Sequence, residues 1–314
     1  MHLHIFMPYQ RGGLCGKNRQ QSIYKMQKTS SKGRFFIGGN NMNSIERPLQ
    51  IIAGPCAAES REQMLATAGA ARSRGIDTVR MSLWKPRTRP GFEGIGSRGI
   101  PIFLEIAAMG LRPATEVLLP KQAEDVLNGT VGRDSNARVL LWLGSRNQNH
   151  LIQRDIGSVV ANNPRVQLMI KNQVWKDKAH CEGVVEHVVA GGASSDQLLL
   201  CHRGFGPPSK RLLNPPDMKL TLEVKDAVSK AHGRDVPLIL DPSHIAGKSP
   251  ENVMRIAFRL SGSQLTVDGK TRGIDGMLIE THPNPETAKT DKNQQLSWSQ
   301  LDGLLQRMTR KEEI

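Results

Sequence analysis

The chain has 314 residues, enough for one large α/β barrel or for two ordinary domains. Hydrophobic residues make up 38% and charged residues 23%, which excludes a disordered chain and fits a folded one. The net charge is +14, but residues 1–41 carry seven of the 43 basic side chains and none of the 29 acidic ones, so half of the excess belongs to that stretch. No apolar run approaches the ~18 to 20 residues that span a bilayer, and no secretory h-region stands near the start. A membrane role is therefore not expected, and a cytoplasmic location is. Cys15, Cys56, Cys181 and Cys201 form no CxxC pair and no disulfide framework, in keeping with a reducing compartment. Aromatics are 4% and do not interleave a basic stripe, which argues against nucleic-acid binding.

In chain order, residues 1–41 come first. They are basic, polar and aperiodic, and read as a disordered extension ahead of a catalytic domain spanning 42–314. An organelle-targeting peptide, or a true translation start at Met42, are the open alternatives. Eight short apolar runs follow: Leu49–Ala53, Thr78–Leu83, Pro113–Val117, Arg138–Leu143, Val166–Ile170, Gln197–Cys201, Val236–Leu240 and Asp275–Ile279. Several are continuous, as expected of parallel strands buried on both faces. The segments between them carry helix signals. Ser60 with Gln63 makes a capping box. Ser249-Pro250 supplies an N-cap and an N1 proline ahead of Val253, Ile256, Ala257 and Leu260 on one face. Eight strand–helix units predict a (β/α)₈ TIM barrel. A doubly wound sheet is the alternative, weakened because no GxGxxG follows the first run.

In such a barrel the chemistry sits at the C-terminal strand ends. Nearly every run here delivers a charged or coordinating side chain to that end. Cys56 follows the first, Arg80 and Lys85 through Thr88 the second, and Glu116 closes the third. Arg146 follows the fourth, Lys171 the fifth and Arg203 the sixth. Asp241 through His244 follow the seventh, and Glu280 the eighth, with Asp291 beyond. Cys56, His244, Glu280 and Asp291 offer one sulfur, one nitrogen and two carboxylates, a set suited to Mn²⁺, Fe²⁺, Co²⁺ or Zn²⁺ and poorly suited to Mg²⁺. Arg80, Lys85, Arg87, Arg146, Lys171 and Arg203 are six cations expected to share one pocket, for which phosphate and carboxylate groups are the natural counter-ions. Taken singly, a strand-end Cys or His is more often a packed core residue or a satisfied polar one; the joint placement carries the inference. His150, His180, His187 and His232 read as surface residues.

The motifs Gly54-Pro55-Cys56-Ala57-Ala58-Glu59, Trp84-Lys85-Pro86-Arg87-Thr88-Arg89-Pro90, Ala114-Thr115-Glu116-Val117, Lys171-Asn172, His202-Arg203-Gly204-Phe205 and Asp241-Pro242-Ser243-His244-Ile245, with the stretch Gly276 to Gln295, resemble those of the short metal-dependent 3-deoxy-D-arabino-heptulosonate 7-phosphate (DAHP) synthases, the first enzymes of the shikimate pathway. The likeness runs in unbroken order over about residues 48–296 and is nearest the branch often fused to chorismate mutase. The resemblance implies a transferase condensing phosphoenolpyruvate with erythrose 4-phosphate and water. It implies Cys56, His244, Glu280 and Asp291 as metal ligands, and Lys85, Cys56 and His244 as the catalytic residues. Arg80, Lys85, Arg146, Lys171 and Arg203 would hold phosphoenolpyruvate, and Arg87 and Thr88 the phosphate of erythrose 4-phosphate. Glu116 and Asp241 would support the substrates.

The chain departs from the family pattern at Lys171-Asn172-Gln173, often Lys-Arg-Gly, at His202, often Glu, and at Lys292 beside Asp291. Residues 296–314 supply one helix at most, too short for a chorismate mutase, so feedback control, if present, is expected from a separate chorismate mutase or other regulatory partner, or from residues 1–41. A homo-oligomer is expected. The alternatives are a sister synthase taking another aldose phosphate, which typically carries a Lys-Ala-Asn-Arg segment in place of Lys85-Pro86-Arg87-Thr88, and a non-catalytic regulatory barrel.

Overall fold

A computed structural model describes residues 34–36 and 48–310, apart from 162 and 248. The strands are β1 (Arg34–Phe36), β2 (Gln50–Gly54), β3 (Thr78–Arg80), β4 (Arg112–Val117), β5 (Val139–Leu143), β6 (Val166–Lys171), β7 (Leu198–His202), β8 (Leu238–Leu240), β9 (Gln264–Val267), β10 (Lys270–Gly273) and β11 (Gly276–Glu280). Eight of them close into a barrel in the order β11-β2-β3-β4-β5-β6-β7-β8. Every neighbouring pair is parallel, including the closure of β11 on β2, where Gly276 stands beside Gln50 and Glu280 beside Gly54. The eight apolar runs of the sequence are these eight strands, and the fold is the expected (β/α)₈ barrel.

Strand alternation divides the apolar side chains into two cores. Leu140 and Trp142 of β5 point inward and pack with Ile52, Ala114, Met169, Leu199, Cys201, Ile239 and Leu278 inside the barrel. Val139, Leu141 and Leu143 point outward, into the larger core between strands and helices. The helices are α1 (Arg61–Arg72), α2 (Ile100–Ala108), α3 (Pro120–Gly129), α4 (His150–Val160), α5 (Lys178–Ala190), α6 (Met218–Ala231), the single turn α7 (Pro242–Ala246), α8 (Pro250–Ser261) and α9 (Trp298–Arg310). Ser60 caps α1 by accepting from the Gln63 amide at 3.2 Å. Ser249 caps α8 in the same way through Asn252, and Val253, Ile256, Ala257 and Leu260 are its buried face, as their spacing implies.

Two features lie outside the sequence reading. Asp268 and Gly269 have φ of 49° and 74°, the left-handed pair that turns a tight hairpin, and they join β9 to β10 in antiparallel register. β1 then pairs with β9, Arg34 opposite Thr266. The expectation of an unstructured extension through residue 41 therefore fails for Arg34–Phe36, because the open edge of β9 supplies backbone partners that no local pattern reveals. That strand falls within the compact unit Gly33–Ile314, which also contains the barrel. The remaining residues of that extension lie outside the described residues. Among the described residues no helix is long and apolar enough to cross a membrane.

Candidate active site

The C-terminal strand ends build the site around a buried ion pair. Arg80, the last residue of β3, meets Glu280, the last residue of β11, at 3.1 Å, with side chains 2% and 0% exposed. β2 and β3 approach closely enough there that a Cβ on Gly54, whose φ is +147°, would lie 2.1 Å from the Arg80 carbonyl oxygen. Glycine is what allows the strand to turn into Pro55 and Cys56. Arg80 Nε donates to the Pro55 carbonyl at 3.2 Å, and its guanidinium lies over the Trp142 ring, 5.4 Å from the centroid. Lys171, ending β6, flanks the same ring, also at 5.4 Å. Two cations thus share one aromatic platform inside the barrel. Arg80 Nη1 is buried without a hydrogen bond among the described residues, a donor left over for an anion.

The second group gathers thiol, amine and carboxylates. Lys85 Nζ donates to Cys56 Sγ at 2.6 Å and lies 2.7 Å from Asp291 Oδ2. Cys56 Sγ and Asp291 Oδ2 are 3.0 Å apart. Burial pushes the Cys56 thiol well up, and the Glu280 carboxylate adds to the shift more than Lys85 relieves it. Burial would lower Lys85, but Cys56, Glu280 and Asp291 outweigh it and hold the ammonium charged. Burial likewise opposes ionisation of Asp291, and Lys85 overrides it, so its carboxyl lies far below the usual range. Asp291 adopts the left-handed conformation, φ 48°, which Asp tolerates better than most residues.

Asp241 organises the third group. As N-cap of α7 it accepts from the His244 amide at 3.1 Å. It also accepts from His244 Nδ1, at 3.0 Å to Oδ1, and from Lys171 Nζ, at 2.8 Å to Oδ2. Burial raises the Asp241 carboxyl, but His244 and Lys171 bring it well below its ordinary value. An ionised Asp241 accepts only, so Nδ1 of His244 carries the proton. Nε2 is left directed at Glu280, 3.8 Å from Oε1.

Above these groups opens a cavity of about 430 Å³ lined by Lys85, Arg87, Thr88, Glu116, Arg146, Lys171, Arg203, His244 and Asp291, among others. Arg146 Nη2 donates to Thr88 Oγ1 and Nη1 to the Pro86 carbonyl, both at 3.1 Å, which ties the loop after β3 to the loop after β5. Arg203 Nη1 donates to Asn214 Oδ1 at 2.8 Å. Burial lowers the Arg203 pKa, as expected for a cation awaiting an anion. Gly144 leaves room for Glu116, whose Oε1 would lie 1.8 Å from a Cβ at that position.

Of the thirteen residues singled out by sequence, nine line the cavity, while Cys56, Arg80, Asp241 and Glu280 are buried and bonded to one another or to cavity residues. His202 belongs elsewhere: it faces Thr221 of α6, with Nδ1 2.9 Å from Oγ1. The sequence reading missed Trp142, Asn214, Gln294 and Gln295. Gln294 donates to Glu280 Oε2 at 2.7 Å. Gln295 Oε1 accepts from the Cys56 amide at 3.0 Å across 239 residues. Asn214 follows no strand run and carries no charge, so nothing local marks it.

Cys56, His244, Glu280 and Asp291 suit a divalent ion in donor chemistry. Glu280 Oε1, 3.1 Å from Arg80 Nη2, makes no hydrogen bond among the described residues, and Asp241 accepts from His244 Nδ1 and so orients Nε2 toward the site, the support that metal-binding imidazoles receive. Among the described residues no three His, Cys, Asp or Glu side chains close on one point at coordinating distance; Lys85 Nζ stands between Cys56 and Asp291 and balances the acidic set.

The DAHP synthetase I family model matches residues 27–132 and 160–314. The chain belongs to the DAHP synthetase I family. It is 28% identical over 266 residues to a phospho-2-dehydro-3-deoxyheptonate aldolase of Thermotoga maritima, covering 82% of this chain and 68% of that protein. It is 24% identical over 257 residues to a 2-dehydro-3-deoxyphosphooctonate aldolase of Francisella tularensis subsp. novicida, covering 78% and 84%. A crystal structure of the Thermotoga maritima aldolase, named DAHP synthase, superposes with a TM-score of 0.66 at 26% identity over 83% of this chain and 68% of that one. The matched ranges contain the strand ends just described except that of β5, with Gly144 and Arg146.

Proposed function

We propose that the chain condenses phosphoenolpyruvate with erythrose 4-phosphate and water to give DAHP and inorganic phosphate, the entry step of the shikimate pathway. Membership in the family and likeness to the Thermotoga enzyme support this reading. The observation that carries it is the cavity of about 430 Å³, in which Arg87, Arg146, Lys171 and Arg203 face the His244 and Asp291 end. Two phosphorylated substrates need that concentration of cations.

Arg146, Lys171 and Arg203, with Arg80 beneath, hold the phosphate and carboxylate of phosphoenolpyruvate. Arg87 and Thr88 take the phosphate of erythrose 4-phosphate, and the Arg146–Thr88 hydrogen bond couples the two subsites. The enol carbon C3 attacks the aldehyde carbon and forms the new carbon–carbon bond. Water adds to C2, and the C2–O bond to phosphate then breaks, releasing phosphate. Lys85, held charged by its acidic neighbours, lies where a proton or hydrogen bond reaches the aldehyde oxygen as negative charge develops. Cys56, His244, Glu280 and Asp291 would hold a divalent ion such as Mn²⁺, Fe²⁺, Co²⁺ or Zn²⁺, which as a Lewis acid polarises that same oxygen. Burial of Arg80, Lys171 and Arg203 keeps competing water from screening those three.

2-Dehydro-3-deoxyphosphooctonate aldolases are also similar in sequence to this chain. Arg87 and Thr88 at the cavity wall favour the four-carbon aldose, in line with the Lys-Pro-Arg-Thr segment. Product analysis with erythrose 4-phosphate against arabinose 5-phosphate tests this: a seven-carbon product supports the assignment, and exclusive use of the five-carbon sugar refutes it.

A further inference from the structure

Three arginines share a cavity at the opposite end of the barrel. Arg112 opens β4, and Arg138 and Arg165 stand directly before β5 and β6. They line a cavity of about 360 Å³ at the N-terminal strand ends. In (β/α)₈ barrels that face serves stability and the chemistry lies at the other. Arg138 is exposed and Arg165 half-buried, so the cost of gathering three like charges falls mainly on the buried Arg112 unless something balances it.

Within the chain little does. Arg112 is 9% exposed. Its Nε and Nη2 donate to Thr78 Oγ1 at 2.9 and 2.7 Å, and its Nη1 donates to Gln167 Oε1. All of these acceptors are neutral. The Thr78 hydroxyl proton goes to Asp77 Oδ1 at 2.8 Å. Asp77 is the carboxylate whose field reaches Arg112, yet the two make no ion pair. Burial depresses Arg112, and Arg138 adds to that depression against Asp77. Arg165 Nη1 donates to the backbone carbonyl of Asp134 at 2.9 Å. Arg138 makes no hydrogen bond and no ion pair among the described residues. Asp196, the acid in the cavity wall, is engaged by Arg234 at 2.7 Å. Three cations thus stand against two carboxylates, Asp77 held at a distance and Asp196 engaged elsewhere.

We propose that this cavity is an anion-binding site, distinct from the active site, for a small molecule bearing phosphate or carboxylate groups. Its volume suits a small metabolite, near the lower end of the roughly 300 to 1,000 Å³ typical of ligand pockets. Guanidinium forks bind either oxyanion bidentately. Asn163 and Gln167 in the wall add neutral hydrogen-bonding groups. The site reaches the chemistry through shared strands: β4 and β6, which start at the arginines, end at Glu116-Val117 and at Lys171.

The test titrates inorganic phosphate and citrate separately, by calorimetry, into three full-length proteins: the unaltered chain, Arg138→Gln/Arg165→Gln, and Arg203→Ala, in which active-site anion binding is weakened. At least one of the two anions should bind the unaltered chain and Arg203→Ala alike, and the double variant should bind it about tenfold or more weakly. Which anion binds tells phosphate recognition from carboxylate recognition. Turnover of the double variant in anion-free buffer should match that of the unaltered chain. If it does not, Arg138→Gln alone repeats the titration, since that exposed side chain makes no hydrogen bond or ion pair among the described residues. Failure of both anions to bind Arg203→Ala, or undiminished binding by the Arg138 variants, overturns the proposal.

Discussion

Lys85 Nζ lies 2.6 Å from Cys56 Sγ, joining residues from the first two strand ends at the centre of the acidic set. The thiol is buried beside Glu280 and Asp291 and is held protonated, while the ammonium supplies the positive charge that these groups require. A divalent ion would displace the thiol proton, because the thiolate is the ligand.

This arrangement predicts the behaviour of two variants. Cys56→Ser keeps the size but offers a poor, largely protonated oxygen, and His244→Ala removes the imidazole. Both should lose metal affinity by about a hundredfold or more, judged against the 10- to 100-fold cost of losing even a supporting partner. Both should stay folded, since the barrel core does not involve them. Metal content per chain and turnover in chelator-treated buffer are the readouts. Full activity of both variants under those conditions would rule out the metal assignment.

Arg203 contributes to the other half of the site. Its guanidinium is lowered by burial and held by Asn214 at 2.8 Å, so it is oriented before substrate arrives. Arg203→Ala should cost on the order of 3 kcal/mol of transition-state stabilisation, about a hundredfold in rate, with an unchanged melting temperature. Steady-state kinetics near those of the unaltered chain would remove Arg203 from the pocket.

Gly144 tests the packing of the site. A Cβ there would lie 1.8 Å from Glu116 Oε1, so Gly144→Ala must move the Glu116 side chain. Overpacking of this kind costs about 1 to 3 kcal/mol, and kcat/KM should fall about tenfold or more as the cavity wall shifts. Adding Glu116→Ala should restore the melting temperature without restoring kcat/KM. Thermal melts of the single and double variants decide it: no rescue by the second change means that the clash is not the cause.

Much of this is legible in the sequence, and the limits have physical reasons. Continuous apolar runs mark β5 and β11 because both faces of a barrel strand are buried. The strand ends carry charges because the barrel aims them at one cavity. The β9–β10 hairpin also had a signal, Asp268-Gly269 between short extended segments, which the barrel pattern overshadowed. Other features had none. Gln295 reaches Cys56 across 239 positions. Trp142 reads as one more apolar residue in a buried run, yet it underlies both Arg80 and Lys171. β1 depends on an edge supplied by residues 264–266. His202 closes β7 beside Arg203, but strand alternation turns it outward, toward α6.

That outward placement has a pH consequence. Thr221 Oγ1 donates its proton to the Asp217 carbonyl at 2.7 Å, so at His202 it can only accept, and Nδ1 carries the imidazole proton. Burial pushes His202 down to about 3 from an ordinary value of 6.5. The unfolded chain therefore binds the extra proton first as pH falls. The stability that the neutral ring contributes is present above pH 6.5 and is lost progressively toward about pH 3. Between about pH 7 and about pH 5 the unaltered chain should lose on the order of 2 kcal/mol more than His202→Gln. Denaturant melts of both proteins across that interval give the comparison, and parallel pH profiles would contradict it.

The central claim is the condensation itself, and phosphate release reports it most directly. Phosphoenolpyruvate is supplied with Mn²⁺, and inorganic phosphate is followed on adding erythrose 4-phosphate or arabinose 5-phosphate, with Arg203→Ala as control. The account predicts release that depends on erythrose 4-phosphate, matches phosphoenolpyruvate consumed one for one, yields a seven-carbon product, and falls about a hundredfold in the variant. Absence of release with erythrose 4-phosphate across Mn²⁺, Fe²⁺, Co²⁺ and Zn²⁺, or faster release with arabinose 5-phosphate, would contradict it.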